Sequence, residues 1–420
     1  MGTAGGGHLG GVGLTVESGP LGARAPVSVV IVTYDPEPGM LTDCLASLAH
    51  SRPAPEEVLV VDNSRRHGPV EEVVRRTLGS QLEPIFLPQP RNLGYAAATN
   101  AGVAASSGEL VLLLNPDARL VPGALAELWA AARGNPKALG FAPKIRLAHP
   151  DCVIDSVGMA IGRDGVGVQR GLGQADLGQY DRPERVAGVC FAAALVRRRA
   201  FFPDSVGPLD ERYFMYYEDV DWSMRAAVMG HDFYTVPGAE VVHLHSGSTR
   251  TLGQGFKHRL IQRNLMWTAV KNLDSEDALR VLLRRTSANL RWAAAGRHRW
   301  AALRAVAEAW LGLSGVLAAR RGVQRQRRRR DREALGLEGA PVFFDADTYR
   351  PQVSAAALVA AVGRLYALSP RPELERCLLR LGSAEATGLG QDRALLADIL
   401  EAGGLPEGPA LTWLKAELSS

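Results

Sequence analysis

Two patterns of apolar residues alternate along the first third of the chain. Val27-Ser28-Val29-Val30-Ile31-Val32-Thr33, Val58-Leu59-Val60-Val61-Asp62, Ile85-Phe86-Leu87 and Leu110-Val111-Leu112-Leu113-Leu114 are short, nearly continuous apolar runs. Runs of this kind read as strands buried on both faces. Residues 40–50, 70–78, 96–105 and 121–133 instead carry the spacing of helices, with small residues dominating 96–105. Four rounds of strand and helix predict an open, mostly parallel sheet covered by helices on both faces. Ligands of such sheets bind beyond the carboxyl ends of the strands. The polar residues that end these strands are Thr33 and Tyr34, Asp62 and Asn63, Arg91 and Asn92, and Asn115 and Asp117.

Beyond Phe141 the pattern loosens. Residues 153–173 are Gly-rich and predict irregular strands or a loop. Residues 186–196 predict a buried strand, 219–229 a helix, 233–242 one or two short strands, and 255–273 a helix of mixed polarity. From Ser287 to Arg332 the chain predicts long basic helices, with Trp292, Trp300, Leu303 and Trp310 interleaved with Arg291, Arg297, Arg299 and Arg304. Such helices either lie in a membrane interface or pack, solvated, against the rest of the protein. Nucleic acid is a poorer partner, because no recognised motif accompanies the arginines. Residues 341–420 show helical periodicity (Leu358, Val362, Leu365, Leu374, Leu378, Leu381) and no nameable chemistry.

Composition adds boundaries. A chain of 420 residues, 46% apolar and 22% charged, has the makings of two or three globular domains. The expected divisions are a disordered, Gly-rich segment 1–25, an α/β domain 26–273, a basic amphipathic region 274–335 and a helical appendage 336–420. The net charge of +4 is small, but eight arginines fall between Arg320 and Arg332. The N-terminus does not read as a signal peptide, and no apolar run reaches the ~18–20 residues of a membrane span. Four scattered cysteines without a C-x-x-C pair suggest neither zinc nor a disulfide framework. A cytoplasmic location is expected, with any membrane contact peripheral and on the inner face.

The richest chemistry lies at Phe214-Met215-Tyr216-Tyr217-Glu218-Asp219-Val220-Asp221-Trp222. A carboxylate held against aromatic surface is partly desolvated and gains proton affinity, which suits a general base. The same acidic cluster would also serve as an ordinary helix start. Asp62-Asn63-Ser64 ends the second strand, where a carboxylate accepts from a base or a ribose hydroxyl, or closes an Asx turn. In Arg91-Asn92-Leu93-Gly94-Tyr95 through Asn100, small residues admit close approach of backbone to a ligand, and the helix start could face an anion. This is not G-x-G-x-x-G, which disfavours a nicotinamide enzyme. Asn115-Pro116-Asp117 offers one carboxylate, suited to Mg or Mn or to a turn. His243 stands at a strand end, where a lone histidine is more often structural.

Together these segments resemble the family 2 glycosyltransferases of the GT-A fold, and within them the rhamnosyltransferase-like branch of cell-wall and surface-polysaccharide enzymes. The match runs from Val27 to about Asn272 and rests on Val-Ile-Val-Thr-Tyr at 30–34, Val-Asp-Asn-Ser at 61–64, Asn-Leu-Gly-Tyr-Ala at 92–96, Leu-Asn-Pro-Asp at 114–117, Glu-Asp-Val-Asp at 218–221 and His243. The resemblance implies an inverting, metal-dependent transferase that moves a sugar from a nucleotide-sugar donor, dTDP-rhamnose favoured, to a glycan or lipid-linked acceptor. It implies Asp219, with Glu218, as the catalytic pair and Asp117 and His243 as ligands of a divalent cation (Mg or Mn). Thr33, Tyr34, Asp62, Asn63, Arg91, Asn92, Gly94, Asn100, Asn115 and Arg263 would bind the donor, and Asp221, Trp222 and Arg197 would face the acceptor. One departure is Asn115, which stands where the family's metal motif has its first carboxylate and so predicts weaker metal binding. The competing readings are a non-catalytic nucleotide- or glycan-binding protein of the same fold, and a protein that binds anionic surfaces through its arginines.

Overall fold

The computed structural model describes residues 24–335, except 80, 149–152, 163–164, 245–252 and 297, with isolated positions beyond 335. The readings of a disordered N-terminus and of a helical appendage after 335 therefore fall almost wholly outside the described residues. The first strand begins at Arg24, just inside the segment read as disordered.

The alternating pattern forms β1 (Arg24–Thr33), α1 (Pro38–Ala49), β2 (Ala54–Asp62), α2 (Gly68–Leu78), β3 (Pro84–Pro88), α3 (Gly94–Ala105) and β4 (Leu110–Leu114). These four strands are parallel, in the order β3-β2-β1-β4. Both faces of β1 are buried. Val27, Val29 and Ile31 pack on Leu41, Leu45 and Leu48 of α1, whereas Val30 and Val32 share the other core with Ala96, Ala98 and Val103 of α3. The small residues of α3 let it sit close to the sheet: a Cβ on Gly102 would lie 2.5 Å from Val30 Cγ1.

The chain continues through β5 (Ala118–Leu120), α4 (Ala124–Gly134), β6 (Gly140–Leu147), β7 (Ile154–Ser156), β8 (Met159–Ile161), β9 (Gly167–Gln169), β10 (Arg185–Val186), β11 (Ala193–Arg197), α5 (Glu218–Val228) and β12 (Phe233–His243). β11 enters antiparallel between β4 and β6, and β12 lies beyond β6 and parallel to it. The start of β11 therefore reaches the same edge as the ends of β4 and β12. The hydrophobic pattern did not reveal β5 or β6. The strand expected over 186–196 is two strands, because the chain passes beneath α5 between them. Gly188 permits that crossing, since a Cβ there would lie 2.3 Å from Ser223 Cβ.

Five helices complete the described residues: α6 (Gln254–Asn272), α7 (Ser275–Ala294), α8 (Arg299–Leu311), α9 (Leu313–Gln326) and α10 (Asp331–Leu335). The mixed polarity of α6 has a packing cause. Its buried Asn264, Thr268, Lys271 and Asn272 bond to the acidic segment before and within α5. The arginine run is not wholly solvated. Arg320 donates to the carbonyls of Val270 and Leu273, at the end of α6. Arg327 bonds Asn272 O and Asp331, and Arg329 pairs with Asp232. Guanidinium groups here satisfy helix-terminal carbonyls and buried acids. No single described helix is long and apolar enough to cross a membrane; α8 and α9 meet that test only together, bent by 57°.

Candidate active site

The acidic segment enters α5 through a strained turn. Phe214, Tyr216 and Tyr217 have φ of 66°, 66° and 70°, a left-handed conformation that costs L side chains of order 1–3 kcal/mol each. The neighbours hold it in place. Asn264 Nδ2 lies within bonding distance of the carbonyls of Tyr213, Met215 and Tyr216, at 3.1, 2.9 and 2.7 Å. Arg263 donates to the carbonyls of Arg212 and Tyr213. On the other side Ala96 N donates to Phe214 O, and a Cβ on Gly94 would lie 2.4 Å from that oxygen. Gly94 itself has φ +83°, so glycine is needed for both conformation and clearance.

This turn sets Glu218 and Asp219 side by side at the start of α5. Asp219 is half-buried and accepts from the backbone N–H of Val220 at 2.8 Å and from that of Phe191. Burial raises its pKa to about 6 against those backbone bonds. Burial, then the charge of Asp219, raises Glu218 to about 8. Glu218 Oε2 is buried without a hydrogen-bond partner, an atom that a ligand or water would satisfy. Near neutrality the pair therefore keeps one proton, with Asp219 ionised and Glu218 neutral.

A second cluster lies at the ends of β4 and β12. His243 Nε2 is 3.3 Å from Asp117 Oδ1 and 3.5 Å from Asn115 Nδ2. Its Nδ1 is 2.6 Å from Asp155 Oδ2, on β7. Asp117, Asp155 and His243 are all buried. Burial alone would lower the His243 pKa; the bonds and charges of Asp117 and Asp155 outweigh it and raise it to about 10. Two carboxylates thus compete for positive charge between them, whether a proton on the imidazole or a cation beside it. The donor set suits a divalent cation: Asp155 orients the ring through Nδ1, leaving Nε2 beside a carboxylate oxygen. Among the described residues no three His, Cys, Asp or Glu side chains form a ready metal cage; Asp117 and His243 are the residues here that could hold a cation. Asp155 was missed in the sequence. Its only signal was a carboxylate following the apolar Val153 and Ile154 in a Gly-rich stretch.

The two clusters border one short segment, residues 190–192. The N–H of Phe191 bonds Asp219, and the carbonyl of Ala192 accepts from Asn115 N at 2.9 Å. Cys190 between them feels the charges of both Asp219 and Asp155.

Other expected site residues have different surroundings. Asp62 is fully buried, and its carboxylate accepts from Thr33, from Ser64 and, at 2.6 Å, from His67. Tyr34 is half-buried and Arg91 and Asn92 are exposed. Asn63 binds Leu93 N and Gly94 O, and Asn92 accepts from Gly94 N. With Ala96 N taken by Phe214, these contacts occupy N–H groups expected to face an anion. Asn100 bonds both the N–H and the carbonyl of Leu209, tying α3 to the loop after β11. Arg263 clamps the strained turn and pairs with Glu308.

The three acceptor-side expectations are corrected. Asp221 is fully buried and bonds Lys271, Arg225, Tyr213 and Asn272, a charge held inside by its partners. Trp222 is fully buried, stacked on Phe201 at 4.8 Å, with its indole N–H on Gly207 O. Arg197 is buried and donates to the carbonyls of Ala132, Asn135 and Ala138, closing the end of α4. Helical periodicity explains one of them: Asp221 is two positions past Asp219, and α5 turns it to another face.

Comparison with known proteins gives the family. Residues 28–202 match the family described as glycosyl transferase family 2. The N-acetylglucosaminyl-diphospho-decaprenol L-rhamnosyltransferase of Mycobacterium tuberculosis (strain H37Rv) is 34% identical over 248 residues, covering 53% of this chain and 76% of that protein. The chain belongs to the family 2 glycosyltransferases. Within this family it falls in the rhamnosyltransferase-like branch, and its mostly parallel sheet is that of the GT-A fold. The O-antigen biosynthesis protein RfbC of Myxococcus xanthus is 26% identical over 234 residues, though the match covers only 18% of that longer protein. Likeness to solved structures is distant. GalNAc-T7 with UDP, GalNAc and Mn2+ gives a TM-score of 0.49 at 17% identity, over 62% of this chain and half of that one.

Proposed function

We propose that this family 2 glycosyltransferase moves a sugar from a nucleotide-sugar donor to a lipid-linked or glycan acceptor hydroxyl, with inversion at the anomeric carbon. dTDP-rhamnose is the favoured donor and a prenyl-diphosphate-linked sugar the favoured acceptor. That preference rests on the name of the mycobacterial relative and on the branch. The observation that supports the reading is that Asp219 and the cluster of Asn115, Asp117, Asp155 and His243 both border residues 190–192.

In this reading Asp219 accepts the proton of the acceptor hydroxyl as that oxygen attacks the anomeric carbon. Its raised pKa makes it a stronger base than an ordinary aspartate while leaving it ionised near neutrality. Glu218, neutral beside it, keeps a second negative charge away from the attacking oxygen. Asp117 and His243 would hold Mg or Mn, which supplies charge stabilisation to the departing diphosphate. Asn115 beside them would add no charge to the site.

Release of nucleoside diphosphate, followed over a panel of sugar nucleotides with and without Mn2+ and a prenyl-diphosphate-linked sugar, tests the reading. Metal-dependent release that requires acceptor, with one donor preferred, supports it. Donor binding without turnover of any sugar nucleotide would instead point to the non-catalytic alternative.

A further inference from the structure

The helices after the sheet domain leave an apolar face uncovered. On α7, Leu279, Leu283 and Leu290 are 56%, 51% and 47% exposed. With Thr286 they recur at i, i+4, i+7 and i+11, one continuous stripe of a helix. The opposite side of α7, through Val281, Leu282 and Asn289, is buried. On α8 the same spacing gives Trp300, Arg304, Ala307 and Leu311, all exposed, with Trp300 and Leu311 at 72% and 83%. The two helices touch beside the α7 stripe, where the indole N–H of Trp310, itself 42% exposed, donates to Thr286 Oγ1 at 3.1 Å. Large side chains this exposed over two neighbouring helices mark an interaction surface rather than scattered surface residues.

Charge decides between occupants. Residues 278–307 contain seven arginines and no aspartate or glutamate. Arg284 and Arg291 flank the leucine stripe of α7 and are exposed, and Arg304 lies within the stripe of α8. The first acidic residue after this stretch, Glu308, pairs with Arg259 and Arg263 of α6. Leucine and tryptophan set among arginines, with no acid between, are complementary to acyl chains beneath a layer of phosphate.

We propose that α7 and α8 dock flat on an anionic lipid surface, with Leu283, Leu290, Trp300 and Leu311 entering the headgroup boundary and Arg284, Arg291 and Arg304 on lipid phosphates. The surface is distinct from the arginine run Arg320–Arg332, three of whose members fasten the chain internally. The inference stands apart from the proposed transfer reaction, since it concerns where the protein sits and not what it turns over.

Co-sedimentation of the full chain with vesicles of phosphatidylcholine alone, or with 30% phosphatidylglycerol, tests this. The expected result is at least tenfold tighter binding to the anionic vesicles, weakened by salt. R284Q and R291Q should each weaken it about fivefold. L283S/L311S should weaken it at least tenfold at unchanged thermal stability, because both side chains are already in solvent. Four results would overturn the proposal: no binding to anionic vesicles; equal binding to neutral ones; loss of binding on R321Q/R325Q/R328Q but not on L283S/L311S; or a dimer in solution that L311S dissociates, which would make a second copy the occupant.

Discussion

The assignment of roles within the Glu218–Asp219 pair can be tested by two isosteric substitutions read across pH. Burial places Asp219 at about 6 and Glu218 at about 8, so at pH 7 the base is ionised and its neighbour neutral. Glutamine reproduces a neutral Glu218, and E218Q should keep turnover within about threefold of the parent. Asparagine cannot accept the proton, and D219N should lose ~10²–10⁴ in kcat with donor affinity retained. The sign of the pH effect follows. A base must be ionised, so activity falls as pH drops through about 6, and at pH 5 roughly a tenth of the pH 7.5 rate remains. An aspartate at its ordinary value of 3.8 would still be almost fully ionised there. The assay is nucleoside diphosphate release between pH 4.5 and 9, at saturating donor. Equal losses for E218Q and D219N, or a flat profile down to pH 5, would refute the division of roles.

Other expectations follow from the same geometry. D155A frees the Nδ1 side of His243, and Mn2+ affinity measured by electron paramagnetic resonance should fall ~10–100-fold; a change under twofold would show that Asp155 does not serve the cation. N264A removes the donor shared by three carbonyls of the strained turn, so it should cost about 1–3 kcal/mol in chemical denaturation and lower kcat more than KM. W222A should behave as a core truncation, costing about 3–5 kcal/mol, with no selective change in acceptor KM. Because the folded-state pKa of Glu218 is raised, the folded chain binds its proton more tightly than the unfolded chain does. Stability from this group is therefore lost as pH rises from about 4.5 through about 8. E218Q should raise Tm at pH 9 and leave it nearly unchanged at pH 4.

The parallel half of the sheet was legible because β1, β2 and β4 are buried on both faces and so lack polar interruptions. β6 was not, since Lys144 and Arg146 interrupt it. Lys144 is buried against Asp176 and Asp181, and Arg146 is paired with Glu240, partners that only the tertiary structure supplies. Among the chemical residues, spacing and family pattern singled out Asp117, Asp219 and His243. What they did not convey was direction. Asp221, Trp222 and Arg197 carry suitable chemistry but point into ion pairs, an aromatic stack and a helix end. Asp155, 88 positions from His243 and in neither motif nor strand pattern, becomes visible only through its 2.6 Å contact with that histidine.

A crystal structure with an unhydrolysed donor analogue and Mn2+ bears most directly on the central claim. It should show the ion contacting Asp117 Oδ1 and His243 Nε2, the diphosphate on that ion, and the anomeric carbon facing the Asp219 carboxylate across residues 190–192. An ion bound elsewhere, or a sugar turned away from Asp219, would contradict the account.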